Sequence, residues 1–214
     1  VWGVVRQCAD EKDGVMLART RLRGNPQAGR EGGMRSRQIW AQAIDAEGAP
    51  SPDGRYLSFV DWTTGDLAIR DRASGEQRRL TSKGPWSGSN DFALYSTFSP
   101  DGKQIAYAWY NDKDKENSWE LRIVPFTGGI EVPKSRVLYR NQDIDYLQPA
   151  EWSKDGKQLL ALFTRKDRTN QIAMVSVSDG SARILKTFDW RSPVKMSLSP
   201  DGRYVAYDFP PKEE

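Results

Sequence analysis

The sequence predicts an all-β fold, a β-propeller of four-stranded antiparallel blades with about three and a half blades present. Three observations predict it. The phrase Ser51-Pro52-Asp53-Gly54 returns as Ser99-Pro100-Asp101-Gly102, Ser153-Lys154-Asp155-Gly156 and Ser199-Pro200-Asp201-Gly202, at intervals of 48, 54 and 46 residues. Self-similarity at roughly 40–50 residues marks repeat architecture, and the propeller blade is its four-stranded all-β form. Matched apolar columns follow every copy, and 8 Trp, 8 Tyr and 7 Phe give bulk to fill flat seams between sheets.

Each element of the repeat has a local cause. Proline pre-sets φ for a tight turn, Asp bonds its own backbone, and Gly takes positive φ, so the phrase reads as a hairpin turn. The strand after it carries Leu57, Ile105, Leu159 and Val205 in one column and Phe59, Tyr107, Ala161 and Tyr207 in another. Between them stand Ser58, Ala106, Leu160 and Ala206. Large residues on one face and mostly small ones on the other fit a strand sandwiched between two neighbouring sheets.

A first strand ends at Phe98, Trp152 or Leu198, and Pro50 breaks that column in the first copy. Third strands are expected over 66–71, 119–126 and 171–177, and Arg78-Arg79-Leu80, Arg136-Val137-Leu138 and Arg183-Ile184-Leu185 mark fourth strands. The blades fall at about 42–84, 85–141 and 142–189, with a partial one at 190–214. The chain begins with Val1 and stops midway through a repeat, so the sequence reads as part of a longer protein continuing beyond Glu214.

Residues 1–41 stand outside the repeat and read as a basic linker or N-terminal extension. Residues 1–40 hold eight Lys/Arg against four Asp/Glu. No aromatic stacking groups interleave with Arg19, Arg21, Arg23, Arg30, Arg35 and Arg37, so a solvated tail is favoured over a nucleic-acid footprint. Residues 4–5 and 15–22 are compatible with a marginal helix, and 36–44 with a strand leading into the first blade.

Composition narrows function mostly by exclusion. The chain has no histidine, hence no Ser-His-Asp or Cys-His arrangement and no His-ligated metal. A nucleophile elbow, a phosphate-cradling loop and a dinucleotide fingerprint are all missing from the sequence. The acidic loop 111–116 lacks the central Gly and the terminal, twelfth-position Glu of an EF-hand loop and reads as a solvated hairpin. Paired carboxylates for glycoside hydrolysis are not singled out, since most Asp sit in turns. The single Cys8 forms no internal disulfide and leaves the compartment open. A mean hydropathy of −0.72 and the lack of a long apolar run argue against membrane insertion. We therefore expect no catalytic residue, no cofactor and no metal in this chain.

The stretch Ser-Pro-Asp-Gly-Lys-Gln-Ile-Ala-Tyr at 99–107 carries a family resemblance. So does Thr-Arg-Lys-Asp-Arg-Thr-Asn-Gln-Ile-Ala-Met-Val at 164–175, with Ser-Asp-Gly and Arg-Ile-Leu after it. These resemble the WD-like propeller repeat of TolB-type proteins, over about residues 42–209. Lys154 in place of the turn proline, the Pro50 mismatch and the short fourth repeat depart from that pattern. The resemblance implies a non-catalytic platform for a protein or peptide partner, often periplasmic or secreted in bacteria. Such repeats also occur as the substrate-gating propeller of prolyl-oligopeptidase-type serine peptidases and as sensor propellers of membrane-tethered regulators, where the active domain would lie outside this chain. No catalytic residue is carried over, because the repeat has none.

Strand direction locates a candidate face. The Ser-Pro-Asp-Gly turns and the third-to-fourth turns share one face, while second-to-third hairpins and inter-blade connections share the other. The longer loops lie mostly on the second face, and variable loops on a rigid scaffold concentrate function. Trp86, Tyr146 and Trp190 are the candidate partner-binding residues there; the competing reading makes them caps over the seams.

Overall fold

The computed structural model describes residues 17–20, 35–38, 48–116, 118–129 and 132–209. The chain divides into two compact units, Val1–Asp45 and Ala46–Glu214. In the first, β1 (Leu17–Thr20) pairs antiparallel with β2 (Arg35–Gln38), Leu17 opposite Gln38 and Thr20 opposite Arg35. The helix expected over 15–22 is thus a strand at its described positions. Its backbone pairs with β2, where an isolated helix of eight residues would lack packing support. The expected strand over 36–44 is observed at Arg35–Gln38 and is paired to β1; residues 4–5 lie outside the described residues.

The second unit is built from four antiparallel sheets. The first holds β3 (Tyr56–Asp61), β4 (Asp66–Asp71) and β5 (Gln77–Arg79). The second holds β6 (Phe92–Phe98), β7 (Gln104–Tyr110), β8 (Trp119–Pro125) and β9 (Arg136–Arg140). The third holds β10 (Ile144–Trp152), β11 (Gln158–Arg165), β12 (Asn170–Ser176) and β13 (Ala182–Phe188). The last pairs β14 (Met196–Leu198) with β15 (Val205–Tyr207). Sequential neighbours pair throughout, giving the four-stranded meander of a blade twice over. The first sheet has three strands among the described residues. Its missing inner strand is reduced to one bridge, Pro50 to Leu57, because proline offers no N–H to a ladder.

The turn phrase behaves identically in all four copies. Ser51 Oγ donates to Asp53 Oδ1 at 2.5 Å and accepts from Tyr56 N, while Asp53 Oδ1 accepts from Arg55 N. The same triad of bonds recurs around Asp101, Asp155 and Asp201. The seryl hydroxyl and the backbone N–H hold all four carboxyls below the usual aspartate range. The turn glycines sit at φ +70 to +72, the region where a Cβ is penalised.

The core is a series of seams between sheets. Leu67, Ile69 and Leu80 meet Ala93, Phe98, Ile105, Tyr107 and Trp109 between the first and second sheets. Ala106, Ala108, Leu121 and Ile123 meet Leu147, Trp152, Leu159, Ala161 and Phe163 between the second and third. Leu160, Ile172 and Met174 meet Met196, Leu198 and Val205 at the last seam. Residues 105 and 107 therefore look back one sheet and residue 106 looks forward, as the columns predict. Burying each such Leu or Ile contributes about 1.5–3 kcal/mol.

Polar bonds tie the seams at fixed points. Trp152 Nε1 donates to the Thr97 carbonyl at 3.1 Å, Leu198 N donates to Glu151 Oε2 at 2.7 Å, and buried Ser96 donates to buried Ser58 at 2.8 Å. On the outer strands, bulges at Leu138 and Leu185 turn those side chains inward. A bulged outer strand flanked by Arg136 and Arg183 is a poor template for pairing with another chain.

Candidate functional site

The face formed by the second-to-third hairpins and the inter-sheet connections carries a continuous row of aromatic rings. Trp62 follows β3, Phe92 opens β6, Tyr110 closes β7 and Trp119 opens β8, so strand ends bring them to one level. Trp62 and Phe92 centroids lie 5.8 Å apart, Phe92 stacks on Tyr110 at 5.1 Å, and Tyr110 meets Trp119 edge-on at 5.4 Å. Trp119 meets Tyr146 at 5.0 Å, and Tyr146 meets Tyr95 at 5.8 Å, both edge-on. Offset and edge-to-face pairs of this kind add about 0.5–1.5 kcal/mol each beyond their burial.

Trp86 joins the row at its first end. Its indole N–H donates to the Trp62 carbonyl at 3.2 Å, and the Lys83 ammonium lies 3.9 Å from its ring centroid. The connection that carries it is anchored below by buried Asp66, whose Oδ1 accepts from Thr81 Oγ1 at 2.7 Å and from Lys83 N at 3.0 Å. Trp62 and Trp86 remain 39% and 36% exposed. Tyr146 lies in β10 rather than in a connecting loop. It follows a bulge at Asp145 and is half-buried between Trp119 and Tyr95. The structure thus places Trp86 at one end of the row and Tyr146 next to its other end, Tyr95.

Trp190 stands apart, on the connection between the third and fourth sheets, and is 73% exposed. Beside it Arg191 lies over the Phe209 ring at 5.1 Å, and Phe209 packs edge-on against Phe188 and Tyr207.

The loops of this face are braced. Asp112 N donates to Asp91 Oδ1 and Asn90 Nδ2 donates to Asp112 Oδ2, joining the 81–91 connection to the 111–118 hairpin. In the acidic loop, the Lys115 ammonium bonded to Asp112 holds that carboxyl below its usual range, and Asp114 faces Arg140. These carboxylates are neutralised by cations. Among the described residues no group of three His, Cys, Asp or Glu is placed to hold a metal ion.

Tyr95 is the residue that sequence reasoning missed. The β6–β7 register shifts at it, between Leu94 and Ser96, and it adopts φ +44, one of two non-glycine residues at positive φ among those described. A bulky residue there stores strain, and bulges re-aim side chains at functional rims. Nothing in Leu94-Tyr95-Ser96 announces a bulge before the ladder is seen.

An arc of β-propeller sheets bearing an aromatic face is the class these features define. Comparisons with known proteins find the same fold in TolB structures. No protein-family model matches the chain. A Protein TolB homolog of Chlorobium chlorochromatii (strain CaD3) is 44% identical over 66 residues, 28% of this chain and 14% of that protein. The crystal structure of TolB from Acinetobacter baumannii matches with a TM-score of 0.61 at 21% identity, covering 86% of this chain and 42% of that one. The putative TolB from Agrobacterium tumefaciens matches with a TM-score of 0.61 at 22% identity, covering 81% of this chain and 57% of that one. The chain thus spans about half the length of these structures. The TolB-type resemblance read from the repeats holds in both sequence and fold, and the fold is that of a partial TolB-like β-propeller.

Proposed function

We propose that this chain is a non-catalytic binding platform for a protein or peptide partner, engaged through the aromatic face. The observation that carries the reading is Trp190, a large apolar side chain left 73% exposed on a connection whose flanking carbonyls are held by buried Asn170. Tryptophan dominates binding energy at interfaces when it is presented on a rigid support. The row from Trp86 to Tyr146 widens the same face, and braced loops lower the ordering cost of association. The platform is assigned to residues 42–214, with 1–41 as a basic extension, and a periplasmic or secreted setting follows from the TolB-type resemblance. No helix among the described residues is long and apolar enough to cross a membrane. The test is alanine substitution. Trp190→Ala, Trp86→Ala or Tyr146→Ala should weaken retention of an isolated partner with the fold intact, whereas Asp53→Ala or Asp101→Ala should act on stability. Loss of binding confined to changes on the Ser-Pro-Asp-Gly face would overturn the assignment, as would genuine peptide or glycoside hydrolysis by the purified chain.

A further inference from the structure

Trp190 is held from behind by the buried side chain of Asn170. The carbonyls on either side of it, those of Asp189 and Arg191, both accept from Nδ2 of Asn170, at 3.3 and 3.2 Å. Asn170 opens β12 and is only 2% exposed. Thr164, its partner across the β11 ladder, donates through Oγ1 to Asn170 Oδ1 at 2.7 Å. The two carbonyls settle which end of the amide faces the connection, because they only accept, and the Thr164 hydroxyl then donates to Oδ1. Arg191, 3.8 Å from the Asp189 carboxylate and seated over Phe209, closes the arch from the other side.

A buried amide with both hydrogens spent on carbonyls one residue apart pins three consecutive residues. The side chain at the apex is left in solvent. Burying a polar side chain costs free energy unless its bonds are made, and here the two N–H groups bond the loop while Oδ1 accepts from Thr164. The first sheet solves the equivalent problem with the opposite polarity. Asp66, which opens β4, anchors its connection as an acceptor of Thr81 Oγ1 and Lys83 N.

We propose that Asn170 is a positioning residue for partner binding: its side-chain amide sets the 189–191 arch and thereby pre-organises Trp190 as an anchor. The role in binding rests on the reading of this face given above, but the clamp is tested with no partner present. Asn170→Asp keeps shape and the acceptor for Thr164 while presenting an oxygen to two carbonyls, and Asn170→Ala removes the clamp without adding charge.

Backbone ¹⁵N relaxation on the full chain reads the result. In the wild type, residues 189–191 should show rigid order parameters of about 0.85, matching β11 and β12. In Asn170→Asp and Asn170→Ala they should fall below about 0.6 at 189–191 while β11 and β12 stay near 0.85. Should the charged variant unfold the sheet, Asn170→Ser, smaller and uncharged with one donor kept, decides in its place with intermediate values expected. Unchanged order parameters at 189–191 in the variants would overturn the proposal. So would a fall shared by β11 and β12, which would make Asn170 a general fold residue. Failure of the partner reading would leave these order parameters as predicted, so the two outcomes are separable.

Discussion

Gly180 and Gly202 share a backbone conformation but not a neighbourhood, which makes them a matched pair for measuring what holds two sheets together. Their φ values are +74 and +70. A Cβ on Gly202 meets nothing within 4 Å, whereas one on Gly180 falls inside van der Waals contact of the Leu138 carbonyl, on the outer strand of the preceding sheet. Gly202→Ala should therefore cost only the left-handed penalty, about 1–2 kcal/mol. Gly180→Ala carries the same penalty and must also push β9 away, as overpacking does, for about 1–3 kcal/mol more. Backbone is the obstacle, so no rotamer change relieves it. The Arg136 guanidinium donates to the Val177 carbonyl at 2.6 Å across the same junction, and that bond should weaken with it. Urea unfolding with linear extrapolation reads both variants against wild type. The expected order is Gly180→Ala well below Gly202→Ala. Equal destabilisation would show that the outer strands of the second and third sheets are not packed at that junction.

Three further outcomes follow from the same geometry. Lys154 occupies the turn position from which Pro52 and Pro100 reach the space where a Cβ on the turn glycine of the next repeat would stand; beside Gly202 that space is empty. Lys154→Pro should stabilise by about 0.4–1 kcal/mol in urea unfolding, and a loss would show that the third turn differs from the others. Ser58→Ala strands the Ala49 N–H and the Ser96 hydroxyl in a buried site, for about 1–3 kcal/mol. The Ser58→Ala/Ser96→Ala double variant should cost less than the sum of the singles, and strict additivity would refute the coupling. The Ser181 N–H, with hydroxyls of Ser176 and Ser181, lowers Asp179 to about 2. A folded value below the unfolded one, about 3.9, gives stability above pH 4 that is lost as pH falls toward 2. The gap between wild type and Asp179→Asn should close over that range, and a pH-independent gap would contradict it.

The fold was legible because its determinants are local and repeated. The third strands expected over 66–71, 119–126 and 171–177 are observed at Asp66–Asp71, Trp119–Pro125 and Asn170–Ser176, and each turn phrase runs into a strand. The columns also gave the direction each side chain faces, since a strand has only two faces. The face carrying the candidate site followed from strand direction alone. Contacts between distant segments were not legible. The bulge at Tyr95 depends on the ladder β6 makes with β7, and the clamp by Asn170 on residues 189–191 joins positions 19 to 21 apart through one side chain. Trp86 and Trp190 look alike in sequence, yet one gives its N–H to the Trp62 carbonyl while the other projects into solvent. Residues 15–22 misled because hydrophobic spacing in so short a segment does not separate helix from strand.

The central claim is that partners meet this molecule on the aromatic face, and site-specific photo-crosslinking tests it most directly. A benzophenone side chain placed at position 190 or 86 should yield a discrete crosslinked species in the protein's native setting. One placed at Arg203, in the fourth Ser-Pro-Asp-Gly turn on the opposite face, should yield none. Crosslinking at 203 with none at 190 or 86 would contradict the account.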